Sequence, residues 1–452
     1  MSTFDQVLPE LLRLCHSHAA DSQVRRYCVI RDVRGRVRLA VEPADGALDV
    51  GGLEDALAGA LGAYFVRPVL STQGGGHVAG RLAAELFRTA SARDEGWPRD
   101  WPRTWRNVLG GGETSIEIGT RWVGVERTIG KDAWLGTGTP PWPLHPGQTP
   151  PIITFHSFKG GVGRTTLVAA YAIQLAATPP ARRVAVIDLD LEAPGVGTVL
   201  GVQTGRGVLD VLVDHIATGA IDLSDAEAPA RLDFAEDAQI TVFPAGSLSG
   251  AYLQKLARLD FAAVEPGHRT EASPVGRALT AMLKTIRARF DVILLDARAG
   301  LHDLSGMSLH GLAHLDVLVF RGSEQHLAGL AETLRTLGAR DNLLLVETLL
   351  PAPEDEAARR HAPTRERVYD LLCRYVYPDD EPPQLADRGA PHDVVTVLRR
   401  EWLEAVDSLR GLVHEVRTDR GLRDLAARLD ALWQMDDASG EPDDTSGDEE
   451  PA

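Results

Sequence analysis

The chain has 452 residues, 44% hydrophobic and 25% charged, enough for two to four domains with sizeable cores. Its net charge of −17 argues against bulk binding to nucleic acid or to an anionic membrane. Three scattered cysteines (Cys15, Cys28, Cys373) exclude a disulfide framework, no apolar run reaches membrane-spanning length, and the acidic start MSTFDQVLPELLRL lacks the basic segment of a signal peptide. A cytoplasmic protein is expected.

Residues 1–136 read as a small α+β domain of unassigned role, with helices over Val7–Cys15, Leu53–Tyr64 and His77–Ala90. Tyr27–Val41 reads as a strand–turn–strand with Arg34-Gly35 near the turn, and Ile116–Trp134 as paired strands. Trp97, Trp101 and Trp105 recur every four residues, but Pro98 and Pro102 forbid one smooth helix, and packing tryptophans are preferred to a docking surface. Residues 137–150 are proline-rich and read as a linker. From 151 to 353, apolar strand runs at Ile152–Phe155, Arg183–Asp188, Ile240–Phe243, Asp291–Asp296, Asp316–Phe320 and Leu343–Glu347 alternate with helical stretches. That alternation predicts a doubly wound, mainly parallel α/β sheet. Residues 354–435 read as a helical C-terminal extension with helices over Arg365–Tyr375, Val394–Val413 and Leu422–Met435, and 436–452, with eight acids and no base, as a disordered acidic tail. Leu422, Leu425, Leu429, Leu432 and Trp433 form an apolar stripe, read as packing on the body or on a partner rather than as a membrane helix, because the acidic tail beside it would be repelled by anionic lipid.

Three segments carry chemistry. The first is IITFHSFKGGVGRTT, Ile152 to Thr166, in which a buried strand breaks at Lys159, Gly160, Gly161, Val162, Gly163, Arg164, Thr165 and Thr166 before a helix. Glycines let successive N–H groups turn inward, and the helix start adds unpaired donors and partial positive charge, which together make a phosphate cradle. The Thr165 hydroxyl stands where a Mg²⁺ ligand would. The pattern departs twice from G-x-x-x-x-G-K-[ST]: Phe158 replaces the first glycine and Arg164 the lysine. Only four lysines occur among 47 basic residues, so Arg164 is open to compositional drift while Lys159 is the more informative. The second segment, Val184–Gly195, delivers Asp188 and Asp190 from a strand end. In the third, Phe290–Gly300, an apolar strand ends in Asp296 and a glycine-bearing loop, with Ala297–Ser308 as a switch segment. His310 and His314 share helical spacing, but Gly311 stands where a metalloprotease needs glutamate, and no metal site is expected there.

These motifs, in this order, resemble the deviant P-loop of the ParA/MinD-like ATPases, and with Arg164 the KGGVGR-motif variant subgroup. Ala299 stands where that subgroup has threonine. The resemblance covers 151–353 and implies an ATP- and Mg²⁺-binding switch that forms a nucleotide-dependent homodimer and hydrolyses slowly. It implies that Lys159–Thr166 bind phosphate, that Thr165, Asp188 and Asp296 serve Mg²⁺, that Asp190 orients water, and that Lys159 reaches the partner's phosphates. Glu347–Pro353 would flank the adenine, and Ser323-Glu324-Gln325 either line the cleft or form a surface loop. A further protein partner would use the N-terminal domain or the C-terminal helices. Two other readings stay open: a nucleotide-sensing scaffold without turnover, motivated by the larger, planar guanidinium of Arg164, and a small-molecule kinase or ligase of the same fold.

Overall fold

The computed structural model describes residues 3–434 except 19–20, 33, 45–47, 49, 74–77, 92–120, 127–130, 136–139, 143–148, 179, 231, 233–238, 249–250, 263–272, 341, 352–363, 378–380, 405–408 and 410. Trp97, Trp101, Trp105, the tail 436–452 and most of the 137–150 stretch lie outside the described residues. The chain divides into two compact units, one reaching Thr137 and the other beginning at Gly138.

The first unit is built on four strands, β1 (Val24–Arg31), β2 (Val37–Pro43), β3 (Leu70–Ser71) and β4 (Trp122–Glu126), in the order β3-β2-β1-β4. Strands β1 and β2 form the antiparallel hairpin, and β4 adds parallel to β1. Alternation along β1 sends Tyr27 and Val29 to helices α1 (Phe4–Ser17) and α2 (Gly51–Leu61), and Cys28 and Ile30 to α3 (Val78–Ser91). Tyr27 stacks on Trp122 with ring centroids 4.2 Å apart.

The second unit holds an eight-stranded sheet. Its strands are β5 (Ile152–His156), β6 (Val184–Asp188), β7 (Ala228–Pro229), β8 (Ile240–Phe243), β9 (Val292–Asp296), β10 (Leu315–Phe320), β11 (Leu343–Leu350) and β12 (Val395–Leu398). They lie in the order β12-β11-β10-β5-β9-β6-β8-β7, parallel throughout except for the edge pair β7–β8. Every residue of β5, β6, β9 and β10 is buried, so both faces of the sheet are covered. That explains their continuous apolar runs. The lateral order matters for chemistry: β9 lies between β5 and β6, with Phe155 opposite Asp296 and Asp188 opposite Asp296. The carboxyl ends of three motif-bearing strands therefore stand side by side, beside the strand where the order reverses.

Helix α4 (Arg164–Ala177) is buried along nearly its whole length, because the C-terminal helices α10 (Val413–Thr418) and α11 (Arg420–Gln434) cover its outer side. Leu422, Leu425, Leu429 and Trp433 enter the same core as α4. Gln174 Nε2 donates to the Val416 carbonyl at 2.8 Å, and Tyr171 Oη to Asp430 at 3.0 Å. The C-terminal segment is thus built into the second unit. It is also not wholly helical: Val395–Leu398 forms a strand beside β11, where a helix over Val394–Val413 was expected. Within the proline-rich stretch Trp142 is buried, its ring 4.8 Å from the Arg287 guanidinium carbon and its carbonyl 3.2 Å from His314 Nε2. Among the described residues no helix is long and apolar enough to cross a membrane.

Candidate functional site

The loop after β5 turns through Gly161 (φ +73°) and Gly163 (φ +77°), left-handed conformations that favour glycine. A Cβ on Gly160, Gly161 or Gly163 would meet no atom within 4 Å, so the space beside the loop is open and it is the backbone turn at Gly161 and Gly163 that favours glycine. Gly163 then caps α4, whose first turn carries Arg164, Thr165 and Thr166. Two contacts absent from the sequence reading hold the loop. Thr348 Oγ1 donates to the Val162 carbonyl at 2.7 Å, tying the loop to β11. Phe158, with φ in the ordinary negative range, packs on Gly329 of helix α8 (Glu324–Leu337). The bulky side chain at the head of the loop is matched by a missing one opposite.

Beside the loop lies a buried charge cluster. Arg164 Nε donates to Asp296 Oδ1 at 2.6 Å and Nη2 to Asp190 Oδ2 at 2.8 Å. Thr165 Oγ1 donates to the other Asp296 oxygen at 2.7 Å. Arg164 is 8% exposed, Asp190 7% and Asp296 0%. Burial pulls the Arg164 guanidinium down, but the two carboxylates more than offset it, and burial raises Asp296 despite Arg164 beside it. The Arg164 side chain, expected among the phosphate-binding residues, bonds the two carboxylates in this structure. Asp188, expected to shape a Mg²⁺ shell, stands one strand over from Asp296 and opposite it. Its oxygens accept from the backbone amides of Asp190 (3.1 Å), Gly195 (3.0 Å) and Val196 (3.3 Å), shaping the loop that carries Asp190. Burial and the neighbouring Asp296 carboxylate push Asp188 up to about 8. Among the described residues no group of three or more His, Cys, Asp or Glu side chains gathers to hold a metal. The oxygen donors present, the Thr165 hydroxyl and Asp296 with the buried, unpartnered Asp190 Oδ1 nearby, fit Mg²⁺, an ion that takes few protein ligands and completes its shell with water and phosphate.

Lys159 Nζ donates to Gln325 Oε1 at 3.0 Å, so Gln325 at the start of α8 lies beside the loop entrance. The segment after Asp296 is anchored by Ala297 N to the Phe155 carbonyl (3.0 Å) and Gly300 N to the Ser157 carbonyl (2.9 Å). Arg298 of this segment forms an ion pair with Glu192 of the Asp190 loop, and His302 Nε2 lies 3.4 Å from the same carboxylate. The two loops are therefore mechanically joined. Further on, Ser308–Leu312 forms a π-turn, a rare element often found at functional sites. His314 accepts from Ile152 N at 2.9 Å, and burial pulls it down to about 4, so it is a neutral packing residue. In the expected base-flanking segment, Glu347 is buried and accepts the Thr364 hydroxyl at 3.0 Å, and Leu349 has φ +56° at a register shift between β11 and β12. Ala352 and Pro353 lie outside the described residues.

No protein-family model and no curated protein matches the chain. Solved structures similar to it include the septum site-determining protein MinD from Pyrococcus horikoshii complexed with Mg-ADP, 20% identical, covering 62% of this chain and 93% of that one with a TM-score of 0.41. A putative plasmid partition protein from Borrelia burgdorferi bound to AMPPNP is 16% identical over 63% of this chain and 98% of that one (TM-score 0.40). A ParA family ATPase from Chlorobium tepidum is 14% identical over 63% and 98% (TM-score 0.41). At these identities and TM-scores the likeness says nothing of substrate or partner.

Proposed function

We propose that this protein binds ATP with Mg²⁺ at Lys159–Thr166 and works as a switch that pairs with a second copy when ATP is bound and hydrolyses it slowly. The observation that carries this reading is the open glycine loop at a helix start, directly beside the Thr165–Asp296 pair. Backbone amides of the loop would cradle the phosphates, and Thr165 and Asp296 would hold Mg²⁺. The ion supplies neutralisation of charge on the β- and γ-oxygens. Asp190, with one buried oxygen unpartnered, would orient the attacking water. Calorimetry should show one ATP per chain, weakened by chelation of Mg²⁺, and steady-state phosphate release below about 1 s⁻¹. No ATP binding would overturn the reading. Binding without any phosphate release would favour the alternative of a nucleotide-sensing scaffold, which the engagement of Asp190 by Arg164 supports.

A pairing role for Lys159 gives a separate prediction. Its ammonium is held by a hydrogen bond to Gln325 at the loop entrance, while Arg164 already supplies the cation inside the loop. Lys159→Ala should keep ATP affinity within about threefold of wild type yet lose dimerisation driven by a slowly hydrolysed analogue. Sedimentation with and without the analogue checks it; a mutant that dimerises normally, or a wild type that stays monomeric, sinks the idea.

A further inference from the structure

The Arg164 guanidinium bridges Asp190 and Asp296 where a P-loop site of this chemistry would have a metal. We propose that Arg164 is a built-in stand-in cation: it neutralises the two buried carboxylates and must leave Asp296 before a divalent ion can bind there. Both Asp296 oxygens are engaged, Oδ1 by Arg164 Nε at 2.6 Å and Oδ2 by the Thr165 hydroxyl at 2.7 Å. Nη2 reaches Asp190 Oδ2 at 2.8 Å, leaving Oδ1 of that residue buried and unpartnered. Two carboxylates this deeply buried cannot both stay ionised without a partner charge. A planar fork with several donors spans both, which a lysine ammonium at the same position does not do as well. Arriving phosphates offer the guanidinium a second set of anionic acceptors at the same loop. Its transfer to them frees Asp296 for the ion and Asp190 for water. Nucleotide therefore precedes metal, and a free divalent ion meets an Asp296 whose two oxygens are already engaged by Arg164 and Thr165. This order of events deepens the ATP-binding reading and rests on it; the competition between Arg164 and metal does not.

Mn²⁺ is the probe, titrated by electron paramagnetic resonance against the full chain without nucleotide. Wild type should bind it weakly. Arg164→Gln should bind one equivalent at least about tenfold tighter, and Arg164→Gln with Asp296→Asn should lose that site. If Arg164→Gln fails to fold, Arg164→Lys serves in its place, since it keeps the charge but cannot fork to both carboxylates, and at least about a threefold tightening is expected. Unchanged Mn²⁺ affinity in the folded variant, or a bound Mn²⁺ that survives Asp296→Asn, overturns the proposal. Adding ATP to wild type should then tighten Mn²⁺ binding. The first arm contains no nucleotide, so its result stands whether or not ATP binds.

Discussion

Asp296→Ala is expected to lower Mg²⁺-dependent ATP affinity by about 100-fold or more and to lower the unfolding midpoint as well. Asp296 is fully buried at the end of β9 and receives one charge-assisted hydrogen bond from Arg164 and a hydroxyl bond from Thr165. Removing the carboxylate takes away the expected metal ligand. It also leaves a buried guanidinium with Asp190 as its remaining carboxylate partner, and breaking one side of a buried ion pair typically costs about 3–5 kcal/mol. Asp296→Asn keeps the volume and an acceptor oxygen, so its stability loss should be smaller while its Mg²⁺ dependence is equally reduced. Calorimetry with and without Mg²⁺, alongside denaturant melts of both variants, separates the two effects. Wild-type affinity in Asp296→Asn would remove Asp296 from the metal site.

The glycine loop and the strand-end aspartates were legible because each is a local pattern: a short buried run, then residues suited to a turn or to a ligand. What Arg164 does was not legible. It depends on β9 lying between β5 and β6, and hydrophobic periodicity carries no information about lateral strand order. Val395–Leu398 failed for a similar reason. Four residues give too short a run to separate from the helical pattern that follows, and its strand state comes from pairing with β11. Trp142 was hidden by composition: the surrounding prolines read as a linker, but an indole that can bury its ring and stack on Arg287 is not left in solvent. Thr348 and Gly329 gave no signal of their own. Phe158 did: a phenyl ring where a P-loop has glycine requires that some other element give way.

That element is Gly329, and Gly329→Ala should destabilise the protein and weaken ATP binding by about tenfold or more. Helix propensity alone predicts the opposite, since alanine in the middle of α8 would be favoured by about 1 kcal/mol. Packing decides against it. A Cβ at this position would sit 2.1 Å from Phe158 Cδ1, 2.3 Å from Cγ and 2.7 Å from Cβ. Rotating the ring cannot relieve a clash that includes the stem of the side chain, so the backbone at the head of the loop must shift. Overpacking of this kind costs about 1–3 kcal/mol, which exceeds the propensity gain, and the displacement falls on the residue preceding Lys159. Phe158→Ala in the same chain restores room and should recover part of both losses, giving a coupling of at least about 1 kcal/mol in a double-mutant cycle. Denaturant melts and ATP calorimetry on the four proteins of the cycle measure it. A Gly329→Ala variant as stable as wild type, with unchanged ATP affinity, would mean that α8 does not fix the position of the loop.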